Sequence, residues 1–238
     1  MPSAAATISV RSIEPELLDV LPASDPKAVG SRRDLVWINA LMWQPLIMRR
    51  LLARHVFNPP RRILEIGAGD GRFMLTVARR MAGRWPGVDL LLLDRAPVLG
   101  PEVRRAFERF GWRAQAVTAD VFEWAASAAP NERFDVISAN LFLHHFDEAA
   151  LARLFRHLAA MAPLFVATEP WRAGLPLLAT RLLPAIGANS VTLHDAAASV
   201  RAGFAGPELS QLWPGGAGRV LEERRVGPFT HVFAARGG

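Results

Sequence analysis

Apolar and polar positions follow two different periods along this chain, and their order predicts its elements. Short runs at Ile63–Ile66, Val88–Leu93, Arg113–Thr118, Phe134–Asn140 and Leu164–Thr168 are bounded by turn residues and read as strands. Between them lie segments with apolar residues at helical spacing. These are Phe73–Met81, Pro101–Phe110, Phe122–Ala126 and, after a capping Asp147, a helix with Leu151, Leu154, Phe155 and Leu158 on one side. Strands alternating with helices predict a mostly parallel sheet in an α/β fold. At the end, Arg219–Arg225 and Pro228–Ala235 flank Gly227-Pro228 and read as an antiparallel hairpin.

Residues 1–60 read differently. Pro2, Pro15, Pro22 and Pro26 make the first part irregular, with a short helix near Glu14–Leu21. A better helix is expected from Ser31, a suitable N-cap with Asp34 three residues later, and Leu35, Ile38, Leu41 and Met42 continue it. Pro45 should split it, and a second segment, Leu46–His55, should stop at Asn58-Pro59-Pro60. The expected organisation is therefore an N-terminal helical cap over residues 1–60 and an α/β domain over 61–238. An insertion around 174–215 would shape a pocket. A length of 238 residues suits one such domain with an appendage.

Composition narrows the chemistry. There is no cysteine, so thiol nucleophiles, thiolate zinc sites and disulfides are excluded. The net charge of +6 is carried almost wholly by arginine, since Lys27 is the only lysine. The arginines come as dispersed pairs, among them Arg32-Arg33, Arg79-Arg80 and Arg224-Arg225. A nucleic-acid footprint concentrates its charge, so the pairs read as solvated helix faces and argue against a nucleic-acid partner. Residues 1–10 lack a basic stretch followed by an apolar core, so a cytoplasmic location is expected. The uncharged stretch 35–48 is too short and too interrupted to span a bilayer. Trp37, Met42 and Trp43 within it are either ordinary core or an apolar lid over a hydrophobic acceptor.

The chemistry centres on Glu65-x-Gly67-x-Gly69-x-Gly71, where a strand turns into a helix. Glycines let backbone approach a ligand, and the helix N-terminus behind them offers unpaired N–H groups. The spacing is not the G-x-G-x-x-G of dinucleotide sites. Glu65 and Asp70 bracket the first two glycines and should repel a phosphate, which points to a cationic, nucleoside-like ligand. Asp94, 25 positions after Gly69 and at the end of the second strand, stands where such folds bind ribose hydroxyls. A turn aspartate ahead of Pro97 is the alternative.

The motif resembles the first motif of class I S-adenosylmethionine-dependent methyltransferases, and the likeness runs in order from Arg61 to Arg236. That resemblance implies a Rossmann-like, mostly parallel seven-stranded sheet with an antiparallel C-terminal hairpin, and S-adenosyl-L-methionine as cofactor. It places Glu65, Gly67, Ala68, Gly69, Gly71, Asp94 and Arg95 around the cofactor. Asp120 would meet the adenine amino group, Val121 would offer a backbone N–H, and Asn140 and Leu141 would line the site. Asp120 also reads as an N-cap.

The run Asn140-Leu141-Phe142-Leu143-His144-His145-Phe146 resembles the fourth-strand region of small-molecule methyltransferases. Leu141 replaces the Asn-Pro-Pro-aromatic signature of enzymes that methylate base or glutamine nitrogens. The carboxylates that hold Mg²⁺ in catechol-type enzymes are missing, so no metal is expected. The implied reaction methylates an oxygen or carbon of a small, apolar aromatic or lipid-like acceptor. An RNA methyltransferase and a catalytically silent S-adenosylmethionine-binding protein are the alternatives. Histidine can accept a proton from a phenol or enol near neutral pH. His145 is the preferred base, with His144 its neighbour, the alternative being that both merely close the loop. Trp171 and His194 are further acceptor-side candidates. The sequence leaves the oligomeric state open.

Overall fold

The fold is organised by a seven-stranded sheet in the order β3-β2-β1-β4-β5-β7-β6. In this computed structural model the strands are β1 (Arg62–Ile66), β2 (Asp89–Asp94), β3 (Arg113–Thr118), β4 (Val136–Asn140), β5 (Leu164–Pro170), β6 (Val220–Val226) and β7 (Thr230–Arg236). The first five run parallel, and β7 lies antiparallel between β5 and β6. The structure describes residue 8 and residues 10–22, 24–96, 99–128 and 131–237. The readings made for residues 1–7 and Pro97 lie outside the described residues.

The central strands are apolar without alternation because helices cover both faces of the sheet. Ile63, Leu90, Leu92, Val166 and Val232 join one core, and Leu64, Ile66, Ile137, Phe165 and Phe233 the other. Successive side chains on a strand point to opposite faces. Helices α3 (Gln44–His55), α4 (Arg72–Met81) and α5 (Pro101–Glu108) cover the first face. On the second lie α6 (Val121–Ala128), α7 (Glu148–Met161) and α10 (Glu208–Leu212). Ile47, Met48, Leu51 and Leu52 of α3 are core residues. That helix is thus part of the sheet's covering layer, although it falls within the segment read as a cap.

Ahead of it, α1 (Leu17–Val20) and α2 (Pro26–Leu41) pack against α9 (Ser190–Ala202), which follows α8 (Gly174–Thr180). The start expected at Ser31 is corrected to Pro26. Asp25 caps the helix by accepting from Lys27 N and Ala28 N at 2.7 and 3.4 Å, and Pro26 supplies a φ already suited to the first turn. Ser31 is buried inside the helix, and Asp34 accepts from Asn189 N and Thr192 Oγ1 at 3.0 and 2.7 Å. An Asp-Pro pair thus outcompetes a serine five positions on. Pro45 does divide the segment: α2 ends at Leu41 and α3 begins at Gln44, with Trp43 between them at φ +56°.

Candidate active site

The carboxyl ends of β1 and β4 meet where the strand order reverses, the place where open α/β sheets bind ligands. On the β1 side, Gly67 has φ +67°, and a Cβ there would stand 2.2 Å from Cδ2 of Phe142. Only glycine fits beneath that ring. Gly69, at φ +53°, has open space where a side chain would go, and its N–H donates to Asp94 Oδ2 at 2.9 Å. Asp94 Oδ1 also accepts from Ala96 N. Asp120, at the end of β3, caps α6 by accepting from Phe122 N at 2.8 Å and Glu123 N at 3.3 Å, both on Oδ1. A glycine turn with open space above it and carboxylates closing two neighbouring strands fit the uncharged diol and amine edges of a nucleoside. Val121 is buried in α6, Ala68 donates its N–H to Leu93 O, and Arg95 is exposed beyond Asp94.

The charges here differ from the sequence argument. Glu65 is fully buried, and desolvation raises its pKa to about 8 although Ser138 Oγ donates to it. Burial thus favours its neutral, protonated form. Asp70 is exposed and paired with Arg72 at 2.9 Å. The repulsion of a phosphate expected from Glu65 and Asp70 is therefore largely lost through burial and pairing, and recognition rests on shape and hydrogen bonding.

On the β4 side, Asn140 is buried and its Oδ1 accepts from Thr168 Oγ1 at 2.8 Å. Leu141 follows at φ +50°, a conformation costing about 1–2 kcal/mol for a branched L-residue, with its N–H tied to Thr168 O. That turn throws Phe142 over Gly67. The chain then wraps Glu169 at the end of β5. The N–H groups of Phe142 and Leu143 donate to Oε1 at 3.0 and 2.8 Å, while His144 N and Nδ1 face Oε2 at 3.3 and 2.8 Å. Burial alone would raise the Glu169 pKa, but His144 and these N–H groups hold it below its ordinary value.

His144 is 3% exposed. Burial favours its neutral form, yet Glu16 and Glu169 outweigh this and raise its pKa to about 9. Glu16 arrives from the N-terminal segment, with Oε1 standing 3.5 Å from His144 Nε2. It too is pushed up by burial, but His144, His145 and Ser199 bring it down to about 2. His145 is half-buried, its ring centroid 4.3 Å from that of His144.

The N-terminal segment is sewn over this loop. Arg11 donates to Ala202 O, Phe146 O and His144 O at 2.6, 2.8 and 3.0 Å and lies over the Phe204 ring. Leu17 N and Leu18 N donate to Asp195 at 2.7 and 3.0 Å. The sequence reading passed over Arg11, Glu16, Phe142, Glu169 and Asp195 as site residues. Only Glu169, an acid ending a strand, carried a local signal.

The acceptor-side candidates are scattered. Trp37 and Met42 are half-buried on and just after α2, while Trp43 is 64% exposed. Trp171 is buried beneath Arg225, whose Cζ lies 4.6 Å from the ring centroid. His194 is partly exposed on α9 and bonded to Asp195 at 3.0 Å. Two clefts, of about 370 and 320 Å³, open instead at the amino ends of the strands, around Arg62 and Arg113 and around Pro59 and Leu164. They are remote from the glycine turn. Among the described residues, no helix is long and apolar enough to cross a membrane.

Solved structures share this architecture. An O-methyltransferase family protein from Burkholderia thailandensis aligns with 91% of this chain and 64% of its own, at 19% identity and TM-score 0.54. The pyocyanin biosynthetic protein PhzM aligns over 90% of this chain and 60% of its own, at 20% identity and TM-score 0.58. This chain thus spans less than two thirds of the length of these two. Magnesium protoporphyrin IX methyltransferase from Synechocystis PCC 6803, solved with bound SAH, matches over 93% and 91%, at 12% identity and TM-score 0.56. No curated protein matches the sequence. The family model for a methyltransferase domain matches residues 41–183, more than half of the chain and beginning ahead of α3. With the glycine turn, the acidic strand ends and the antiparallel β7 in place, the chain belongs to the methyltransferase domain family and has the class I, Rossmann-like fold of its S-adenosylmethionine-dependent members.

Proposed function

We propose that the protein transfers a methyl group from S-adenosyl-L-methionine to an oxygen or carbon of a small, apolar aromatic or lipid-like acceptor. The observation that carries the cofactor is the turn at Gly67–Gly71 with Asp94 and Asp120 closing the next two strands. Asp94 would hold the ribose hydroxyls, and Asp120 Oδ2, which the α6 cap leaves over, the adenine amino group. Val121, Arg95, Asn140 and Leu141 would complete the rim. The cofactor supplies an electrophilic methyl on a sulfonium, so the protein's task is alignment, exclusion of water and removal of the acceptor's proton.

His144 is poorly placed to take that proton, because its imidazolium is held between two carboxylates. His145 is half-buried beside it and is the base in this reading. Phe142 and Phe146, their ring centroids 5.0 Å apart, wall the same loop with apolar surface. Trp37, Met42 and Trp43, with His194 on α9, are further candidates for acceptor contact beyond this loop. Two of the similar structures, the pyocyanin biosynthetic protein and the magnesium protoporphyrin IX methyltransferase, are named for small molecules, which supports such an acceptor over RNA.

Calorimetry with S-adenosylmethionine and its demethylated product tests the cofactor. Both should bind, and Asp94→Ala should weaken both by the worth of a charge-assisted hydrogen bond, about 1.5–3 kcal/mol. Tight NADH binding with none of S-adenosylmethionine would overturn the reading.

A further inference from the structure

Glu16, His144 and His145 form the one trio of His, Asp or Glu side chains, among the described residues, whose donor atoms all lie within 4.8 Å of one another. They come from the N-terminal segment and the loop after β4. The trio contains a buried nitrogen that faces a carboxylate without being hydrogen-bonded to it. His144 Nδ1 is taken by Glu169 at 2.8 Å, which aims Nε2 at Glu16 and leaves it, fully buried, without a hydrogen-bond partner among the described residues. Glu16 Oε1 stands 3.5 Å away, which is long for a hydrogen bond. It is close to the edge of a tetrahedron around zinc, where donors about 2.0–2.1 Å from the ion lie roughly 3.3–3.4 Å apart.

The surroundings match as well. A metal-bound histidine characteristically gives its other ring N–H to a carboxylate, as His144 faces Glu169 here. Glu16 is oriented in turn by Ser199 Oγ, which donates to the same Oε1. Imidazole with carboxylate is a donor set suited to zinc and its first-row neighbours, and three protein ligands leave a fourth position open.

We propose that Glu16, His144 and His145 bind one zinc or similar first-row divalent ion, and that occupation inhibits methyl transfer by withdrawing His145 as base. The ion takes the place of the proton on His144 Nε2. The binding half stands independently of the methyltransferase reading, while the inhibition half rests on it.

The test is calorimetric titration of the chelator-treated full chain with Zn²⁺, paralleled by visible absorption with Co²⁺, which reports coordination geometry. One ion per chain is expected, in a tetrahedral cobalt spectrum. Glu16→Gln and His145→Ala should each weaken uptake by more than about tenfold, and Ser199→Ala by about tenfold, as loss of an orienting partner does. S-adenosylmethionine affinity of each variant serves as the check on folding. No uptake at millimolar zinc would overturn the site, as would uptake that Glu16→Gln and His145→Ala leave unchanged. Binding at the trio with turnover unaltered by zinc would overturn the inhibition alone. Zinc binding in a protein that takes up no S-adenosylmethionine would instead overturn the function and leave the site standing.

Discussion

The two sides of the proposed active site, that of the cofactor and that of the acceptor, are built on different length scales. On the cofactor side, the contact that shapes the turn joins Gly69 to Asp94, 25 positions apart, and Asp120 bonds two and three positions ahead. On the acceptor side, Arg11 reaches His144 O across 133 positions and Ala202 O across 191, and Leu17 reaches Asp195 across 178. One wall is made by a strand, a turn and their immediate neighbours. The other exists only once both ends of the chain have come together. Two buried carboxyls show the same difference in chemical form. Among the described residues Glu65 has only the Ser138 hydroxyl as hydrogen-bond partner and is driven toward its neutral form, whereas Glu169 is surrounded by an imidazole and three backbone N–H groups that favour its charged form. A locally built cofactor wall should tolerate damage to the acceptor wall, and four measurements bear on that separation.

The largest effect is expected at His145. His145→Ala should lower turnover by about 10²–10⁴-fold, the range for loss of a general base, while S-adenosylmethionine affinity stays within a factor of about two or three. Parallel loss of both would mean that the acceptor loop also supports the cofactor turn. Wild-type turnover across pH 6–9 in both His144→Ala and His145→Ala would leave alignment as the whole of catalysis.

Next comes the pH dependence of stability, which should carry the mark of Glu65. Its pKa rises from an ordinary 4.5 to about 8 in the fold, so the native state binds more protons than the unfolded chain between those values. Stability should therefore fall as pH rises from about 4.5 to 8, by at most about 1.4 kcal/mol per pH unit, and level off above. Glu65→Gln keeps the shape and removes the titration, so this component of the slope should vanish in its denaturation curves. An unchanged slope would assign the titration to the acceptor side.

How much could be read from the sequence follows the same division. The strands, the glycine turn, Asp94, Asp120 and the C-terminal hairpin were legible because each is specified by a window of a few residues: an apolar run, an alternation of glycines, an acid at a strand end. The start of α2 was misplaced because two capping signals competed, and Asp25-Pro26 combines a side-chain acceptor with a preset φ. Glu16 and Arg11 carried no signal at all. An acid and an arginine in a proline-rich segment become site residues only through contacts more than a hundred positions away. His144 and His145 were legible as a pair, but the pattern could not show that Glu169 and Glu16 would bracket the first of them.

A pair of substitutions compares the two walls directly. Asp94→Ala should weaken S-adenosylmethionine by about 1.5–3 kcal/mol, as above, and leave the N-terminal segment in place. Asp195→Ala removes the acceptor of Leu17 N and Leu18 N, so amide exchange over residues 10–20 should quicken and turnover should drop severalfold, with cofactor affinity retained. If Asp195→Ala weakens the cofactor as much as Asp94→Ala does, the two walls are one cooperative unit.

The smallest effect is that of salt, and it decides what kind of acceptor the second wall receives. Two arginines at the acceptor side are engaged in holding that wall together: Arg11 on three backbone carbonyls, and Arg172, 2% exposed, on Glu208, Gly203 O and Ile8 O. Others sit in pairs at the amino ends of the strands, as Arg62 with Glu132 and Arg113 with Asp89, at the far end of the sheet. Guanidinium groups occupied in this way are not a track for a phosphate backbone. For a small apolar acceptor, the plot of log kcat/KM against log salt concentration should have a slope between zero and about −1. A nucleic acid would add about −0.7 to −0.9 for every phosphate neutralised. A slope steeper than about −3 would mean several phosphate contacts, and would move the acceptor from a small molecule held by the loop after β4 to RNA lying across both walls.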